Sequence, residues 1–236
     1  MRLTILDTSD MERIHKATVE VLSKVGIKFS SKTALEIWEK AGARIKGDVV
    51  FIEENLLRDA LSNVLCQYTM AARDKEKDLK IGTGITILTT DGCAAKVFDP
   101  VTGKLRASAY KDCEDITRLT DALSEIDFCW TTVSATDKNV EKRPLYELFA
   151  LFSNTSKHVM TVTIVKPSVA KTAVKMATLV AGSKENLRNR PVMSVLLNTS
   201  GCLTQEKGSL ETALVFAKAG IPIGFVSMPQ SGSTAP

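Results

Sequence analysis

The chain has 236 residues, 44% of them hydrophobic, and 31 basic against 27 acidic side chains give a formal net charge of +4. This length holds one large or two small domains of ordinary globular composition. The basic residues are scattered rather than grouped in a stripe, so we expect no nucleic-acid partner. No run approaches the ~20 apolar residues of a membrane helix, so we expect no membrane partner either.

The cysteines are widely spaced, odd in number and form no Cys-x-x-Cys pair. They are Cys66, Cys93, Cys113, Cys129 and Cys202. This pattern favours a reducing compartment over a disulfide framework, and the N-terminus turns polar too soon for a secretory signal, so we expect a cytoplasmic protein. Because His15 and His158 are the only histidines, we predict no metal site built from this chain alone.

The N-terminal part predicts a mixed α and β module. A helix capped by Ser9 or Asp10 carries apolar residues at a 3.6-residue period and ends at Gly26. Two more helices and a short strand follow, and residues 67–109 are predicted to be strands and a hairpin. We therefore predict an α+β module over residues 1–110.

The second part alternates apolar strands with amphipathic helices at intervals of about thirty residues, the size of a βαβ unit. The predicted strands are 128–133, 159–165, 192–197 and 223–226, and the helices between them are 144–154, 168–181 and 204–219. The strands are continuously apolar, as in a parallel sheet covered by helices. Such units form a barrel or an open doubly wound sheet.

Two observations favour the barrel. No strand is followed by a Gly-x-Gly-x-x-Gly or Walker-type loop, and polar or small residues cluster after three of the four strands. We predict an α/β fold with a (β/α)8 TIM-type barrel, of which residues 111–236 supply about the first four βα units. The fourth strand is followed only by a Gly-, Ser- and Pro-rich stretch ending at Pro236, so we expect further units to complete the sheet and to share the site.

An ordered series of short motifs resembles the trimethylamine methyltransferase superfamily, whose members demethylate methylated amines with the help of a corrinoid protein. The motifs are Ile14 to Ile27, Ala41-Gly-Ala, Val133-Ser-Ala-Thr-Asp137, Ser153-Asn-Thr-Ser-Lys-His158, Val195-Leu-Leu-Asn-Thr-Ser200 and Val226 to Pro236. The resemblance implies a (β/α)8 barrel enzyme that moves a methyl group from trimethylamine, or from a quaternary amine such as glycine betaine, to Co(I). It implies that the corrinoid (cobalamin) is carried by a partner protein and that this chain alone binds no cofactor.

The implied reaction asks the enzyme to orient the N–CH3 bond and to exclude water, because Co(I) is itself a strong nucleophile. We therefore name no catalytic residue and predict substrate-binding positions in the loops after the strands, together with one from the N-terminal module. They are Asp91, Ser134, Asp137, Asn198, Ser200, Met228 and Gln230. Asn198 and Gln230 can donate to a substrate carboxylate, and Asp137 can face a cation. For Asp91, an ordinary turn aspartate is the alternative.

Two other interpretations stay open: a non-catalytic small-molecule-binding α/β module, and an inactive truncated fragment. A homo-oligomer is compatible with the sequence. Asn154 and His158 precede the second strand, at the end of a barrel where distinctive residues usually serve stability, so we leave both out of the site.

Overall fold

A computed structural model describes residues 5–199, 201–228 and 230–232. The helices are α1 (Thr8–Glu20), α2 (Lys32–Lys40), α3 (Glu54–Ser62), α4 (Tyr110–Ala122), α5 (Arg143–Asn154), α6 (Pro167–Ala181), α7 (Lys184–Asn189) and α8 (Lys207–Ala219). The strands are β1 (Ile27–Phe29), β2 (Arg44–Lys46), β3 (Val49–Phe51), β4 (Tyr68–Met70), β5 (Leu79–Ile81), β6 (Lys96–Phe98), β7 (Leu105–Ala107), β8 (Cys129–Trp130), β9 (Val159–Thr161), β10 (Met193–Asn198), β11 (Thr204–Gln205) and β12 (Ile223–Val226). None of these helices is both long and apolar enough to cross a membrane.

The contacts divide the chain into two compact units. One comprises the residues up to 65 with 199–210 and those from 228 onward, and the other comprises 66–198 with 211–227. The β-structure of residues 66–109 is therefore grouped with the second unit, although the sequence assigns it to the N-terminal module. Its pairing with the parallel sheet, described below, accounts for this grouping.

The first unit is a small sheet covered by helices, with the strand order β11-β1-β3-β2. Its first helix is capped by Asp7, whose Oδ1 accepts from the backbone N–H of Asp10 at 2.8 Å, two residues before the predicted cap. Gly26 ends this helical stretch with a φ of 79°, and a Cβ there would lie 2.8 Å from Val50 O. Only glycine fits both constraints.

The second unit contains the predicted parallel sheet, with the strand order β12-β10-β9-β8 and every pair parallel. The α/β class and the parallel sheet are thus confirmed. Helices α5, α6 and α8 overlap the three predicted helices, and each of the first two begins with a proline at N1 or N2, where a missing N–H costs nothing. Closure of this sheet into a barrel stays a prediction.

Helices cover one face of this sheet. Cys129, Val159, Met193 and Val195 contribute buried strand side chains to a single apolar core. Helix α6 contributes its alanines, and their small side chains allow the helix backbone to approach the sheet closely. These alanines are Ala170, Ala173 and Ala177.

An additional segment, residues 88–94, runs parallel to β8 along the outer edge of the sheet. Its bridges pair Thr89 with Phe128 and Ala94 with Val133. The side-chain Oγ1 of Thr90 accepts from the N–H of Trp130 at 3.1 Å. The backbones approach so closely that a Cβ on Gly92 would lie 2.3 Å from Thr131 O. This segment therefore extends the sheet beyond its four named strands.

Candidate functional site

The carboxyl ends of the four parallel strands meet at one edge of the sheet, which we call the C-terminal edge. In parallel α/β folds the loops that leave this edge carry the binding and catalytic groups. Ser134 and Asp137 lie in the loop after β8, and Asn198 is the last residue of β10. The strands thus bring these three predicted positions to the same edge.

Asp137 holds the start of helix α4. Its Oδ1 accepts from the N–H of Tyr110 at 2.7 Å, and its Oδ2 lies 3.4 Å from Lys138 Nζ. Partial burial raises the pKa of Asp137, but the Tyr110 N–H and the Lys138 ammonium outweigh this and hold it below its usual value. The carboxylate is ionised and already engaged, and its proposed role toward a substrate cation stays a prediction.

An aromatic pair beside this loop already holds a cation. The rings of Tyr110 and Tyr146 meet edge to face at 6.0 Å, and Lys138 Nζ lies 5.1 and 5.5 Å from their centroids. An ammonium over the ring faces is electrostatically favourable. This pair therefore serves an internal lysine.

Asp91 belongs to the added 88–94 segment, and Ser134 follows the stretch of chain that pairs with it. The N–H of Ser134 donates to Ala94 O at 2.9 Å, and its own carbonyl accepts from Ser108 Oγ at 2.6 Å. Asp91 is exposed, and its Oδ1 accepts from the N–H of Gly92 at 2.8 Å, as in an ordinary aspartate turn. The segment that carries Asp91 thus runs beside the strand that leads to Ser134.

The remaining predicted positions lie away from Ser134 and Asp137 or outside the second unit. Asn198, at the end of β10, is exposed and lies opposite Val226 in the strand register. Met228 and Gln230 are exposed and belong to the first unit. Ser200 lies outside the described residues.

A cavity of about 380 Å³ opens at the C-terminal edge between the loops after β8 and β9 and the first turns of α5 and α6. Its lining residues are Ser134, Val140, Glu141, Arg143, Pro144, Glu147, Thr163, Val165, Lys166 and Val169. Pockets that hold small molecules combine apolar walls with a few polar groups in this way. Of the predicted positions that the structure describes, Ser134 is the one that lines it.

Glu147, one of the lining residues, was not among the positions predicted from the sequence. It is completely buried, its Oε1 accepts from the N–H of Ala135 at 3.1 Å, and its Oε2 accepts from Thr163 Oγ1 at 2.9 Å. Burial raises its pKa above the usual glutamate value, although these two hydrogen bonds and the charge of Arg143 oppose the rise. A signal existed in the sequence, because Glu147 is a charged residue within the apolar face of α5, beside Leu148 and Leu151.

The basic groups of the cavity are Arg143 and Lys166. Lys166 Nζ lies 3.3 Å from Glu141 Oε1, and both side chains are exposed. The Nε of Arg143 is buried and, among the described residues, has no hydrogen-bond partner. A buried donor without a partner costs about 1–3 kcal/mol, so Arg143 lowers rather than raises the stability of this edge.

Two thiols near Glu147 are held protonated. Burial, followed by the negative charge of Glu147, raises the pKa of both Cys93 and Cys113 to about 12. A thiol with such a pKa provides almost no thiolate nucleophile at neutral pH. The described residues also contain no group of three or more His, Cys, Asp or Glu side chains arranged to hold a metal.

The opposite edge of the sheet, where the parallel strands begin, is the N-terminal edge, and it contains a buried lysine. The ammonium of Lys157 donates to the carbonyls of Thr120, Leu123 and Ile126 at 2.7, 2.7 and 2.6 Å. These carbonyls belong to the last turn of α4 and the loop behind it, where a helix leaves acceptors unsatisfied. Lys157 therefore acts as an internal C-terminal cap.

His158 ties β9 to its surroundings at the same edge. Its Nδ1–H donates to Ala71 O at 2.8 Å, and its Nε2 accepts from Ser194 Oγ at 2.9 Å. Burial lowers its pKa to about 4, so the imidazole is neutral at pH 7. Asp121 completes this edge by accepting from Thr155 Oγ1 at 2.6 Å and from the N–H of Ser156 at 3.0 Å.

The cavity lies at the C-terminal edge of a parallel sheet, where α/β folds commonly bind small molecules. The family model described as trimethylamine methyltransferase (MTTB) matches residues 1–236, and the chain belongs to this family. The resemblance inferred from the short motifs is confirmed.

Named relatives support the same assignment. The chain is 32% identical to the trimethylamine methyltransferase MttB of Desulfitobacterium hafniense (strain DSM 10664 / DCB-2) over 96% of its own length and 46% of that protein. It is 25% identical to the glycine betaine methyltransferase of strain Y51, and 29% identical to MttB of Methanosarcina barkeri, over 100% of the chain and 49% of each relative. The chain thus spans about half the length of the curated relatives that it matches.

Proposed function

We propose that the protein carrying this chain transfers a methyl group from a methylated amine to the Co(I) of a corrinoid held by a partner protein. The single observation that carries the proposal is the family match over residues 1–236. Relatives are named for trimethylamine and for glycine betaine, so the donor is a methylammonium compound. We assign the corrinoid to a partner protein, as the resemblance to the family implies.

The corrinoid would supply the electron pair for the new Co–CH3 bond. The electron pair of the broken N–CH3 bond would stay on the nitrogen of the donor. A quaternary ammonium donor leaves as a neutral amine, so the chain needs no general acid for it. The tasks left to the chain are to hold the cation and to exclude water. The cavity at the C-terminal edge suits both, since it combines apolar walls with the buried carboxylate of Glu147.

The architecture that we propose for the whole protein is a (β/α)8 barrel, with the four parallel strands as its first half. Their spatial order follows their order in the chain, as in a barrel. The length of the relatives leaves room for four further units. We place the enzyme in the cytoplasm, in agreement with the absence of disulfides among the described residues.

The experiment incubates the full-length protein with its reduced corrinoid protein and one candidate donor at a time. The donors are trimethylamine, glycine betaine, carnitine and related betaines, and the readout is the absorbance change on formation of methyl-cobalt. The proposal expects transfer from at least one donor. Absence of transfer from all of them, with a corrinoid protein that is methylated normally by another route, would overturn it.

A further inference from the structure

Glu147 joins the two loops that border the cavity at the C-terminal edge. Its Oε1 accepts from the N–H of Ala135 in the loop after β8, and its Oε2 accepts from Thr163 Oγ1 in the loop after β9. The side chain is completely buried, so it acts on a molecule in the cavity only through its neighbours. Any effect of Glu147 on a reaction there must therefore pass through the two loops.

The loop after β8 is also held by bonds that do not involve Glu147. Ser108 Oγ donates to the carbonyl of Ser134 at 2.6 Å, and the N–H of Thr136 donates to the carbonyl of Ser108 at 3.3 Å. Asp137 accepts from the N–H of Tyr110 at 2.7 Å. These bonds make this loop the fixed side of the cavity.

The loop after β9 is the side that depends on Glu147. Ile164 anchors it in the apolar core, and among the described residues two polar links lead from it toward the other loop. One is the hydrogen bond from Thr163 to Glu147, and the other is the ion pair between Lys166 and Glu141. Both partners of the ion pair are exposed, so it holds the loop only weakly. The bond to the buried carboxylate is charge-assisted and is the stronger link.

We propose that Glu147 is a positioning residue, which couples the two loops and so fixes the width of the cavity between them. Methyl transfer requires the N–CH3 bond of the donor to point in one direction, and a displacement of ~1 Å can lower such a rate ~100-fold. The effect on the reaction rests on the proposed function. The coupling of the two loops can be measured without that reaction.

Hydrogen exchange of the Ala135 amide in the full-length protein tests the coupling, at pH 7.5 and without donor or corrinoid protein. Thr163→Val removes the hydroxyl that donates to Glu147 and leaves the bond between Glu147 and Ala135 in place. The carboxylate then loses one of its two supports, so the Ala135 amide should exchange at least ~3-fold faster, read by mass spectrometry with residue-resolving fragmentation. Thr163→Ser keeps the hydroxyl and should exchange at the wild-type rate. Unchanged exchange in Thr163→Val would overturn the proposal.

Two further variants bracket this result. Glu147→Met removes the acceptor itself, so the Ala135 amide should exchange at least ~10-fold faster than in the wild type. Lys166→Met removes only the exposed ion pair and should leave this exchange unchanged. Equal acceleration in Lys166→Met and Thr163→Val would show that the loops are coupled at the surface, against the role given to Glu147. Thr163→Val carries the test if Glu147→Met does not fold.

Steady-state kinetics test the positioning role, with the reduced corrinoid protein and a donor from which the wild type transfers. Thr163→Val should lower kcat ~10-fold or more and change KM less than ~3-fold, because the donor still enters the cavity but its N–CH3 bond is held less well. Thr163→Ser should keep kcat within ~3-fold of the wild type. Thr172→Val, which removes an exposed hydroxyl on α6, should match the wild type. A raised KM with unchanged kcat in Thr163→Val would contradict a positioning role.

Failure of this inference and failure of the proposed function give different results. Faster Ala135 exchange in Thr163→Val, in a protein whose wild type transfers no methyl group, leaves the coupling of the loops standing and removes the proposed reaction. Methyl transfer by the wild type, with both exchange and kcat unchanged in Thr163→Val, does the reverse.

Discussion

The two edges of the parallel sheet differ in how their buried polar groups are treated. At the N-terminal edge, Lys157 makes three hydrogen bonds and both nitrogens of His158 are engaged. At the C-terminal edge, Trp130 Nε1, Thr131 Oγ1 and Arg143 Nε are buried, and the protein that the structure describes provides no partner for them. Fully bonded buried polar groups stabilise a fold, whereas buried groups without a partner carry a desolvation cost. The comparison therefore separates an edge that stabilises the fold from an edge where part of that stability is given up.

The largest expected effect is at Lys157. Lys157→Met removes the ammonium and leaves the carbonyls of Thr120, Leu123 and Ile126 without their donor. We expect the free energy of unfolding to fall by about 3–5 kcal/mol, measured by urea denaturation at pH 7.5. The exposed Lys171→Met should stay within about 0.5 kcal/mol of the wild type. A loss below about 1 kcal/mol in Lys157→Met would show that the N-terminal edge does not depend on this lysine.

The second effect is a pH dependence that comes from His158. Its pKa is lowered from 6.5 to about 4 in the folded protein, so the unfolded chain binds a proton in this window before the folded chain does. The contribution of His158 to stability is complete above pH 6.5 and is lost as the pH falls toward 4, about 3 kcal/mol in total. Urea titrations of His158→Gln between pH 4 and 7 should show a flatter profile than those of the wild type. Equal slopes in His158→Gln and the wild type would be inconsistent with a buried neutral imidazole.

A third, smaller effect concerns Glu147 at the C-terminal edge. Its folded-state pKa is raised, so keeping it ionised at neutral pH costs stability, and this cost disappears as the pH falls below the folded pKa. The free energy of unfolding of Glu147→Gln should therefore lie at most about 1 kcal/mol below that of the wild type at pH 7.5. Its stability relative to the wild type should fall as the pH is lowered, because the wild-type carboxyl then takes up a proton and this cost disappears. A loss of several kcal/mol at pH 7.5 would place Glu147 with the structural residues of the opposite edge.

The smallest effect is the reactivity of the thiols. Burial and the charge of Glu147 raise the pKa of Cys93 and Cys113 to about 12, whereas Cys66 is exposed. Mass spectrometry after brief iodoacetamide treatment at pH 8 should find Cys66 modified at least ~10-fold faster than Cys113. Denaturation in urea should abolish the difference. Rapid modification of Cys113 in the folded protein would mean that the site beside Glu147 opens to solvent.

Periodicity and spacing were enough to predict the parallel sheet and its helices, because Val159, Met193 and Val195 belong to continuous apolar strands bounded by prolines. They were not enough to predict that residues 88–94 pair with β8. This segment is polar and irregular, and a long-range bridge such as Thr89 to Phe128 leaves no local pattern.

The candidate site was predicted only in part. The alternation of strands and helices predicted that the site lies at the C-terminal edge of the sheet, and Ser134 does line the cavity there. Glu147 and Arg143 lie on helix α5, whereas the sequence pattern pointed mainly to the loops after the strands. Their meeting at one cavity depends on how the first turns of α5 and α6 pack, which a single sequence does not encode locally.

The measurement that tests the difference between the two edges most directly is the free energy of unfolding of Arg143→Met beside that of Lys157→Met, by urea denaturation at pH 7.5. Because the Nε of Arg143 is buried without a partner among the described residues, its removal should change stability by no more than about 1 kcal/mol, against a loss of about 3–5 kcal/mol in Lys157→Met. Equal losses in the two variants would contradict the difference.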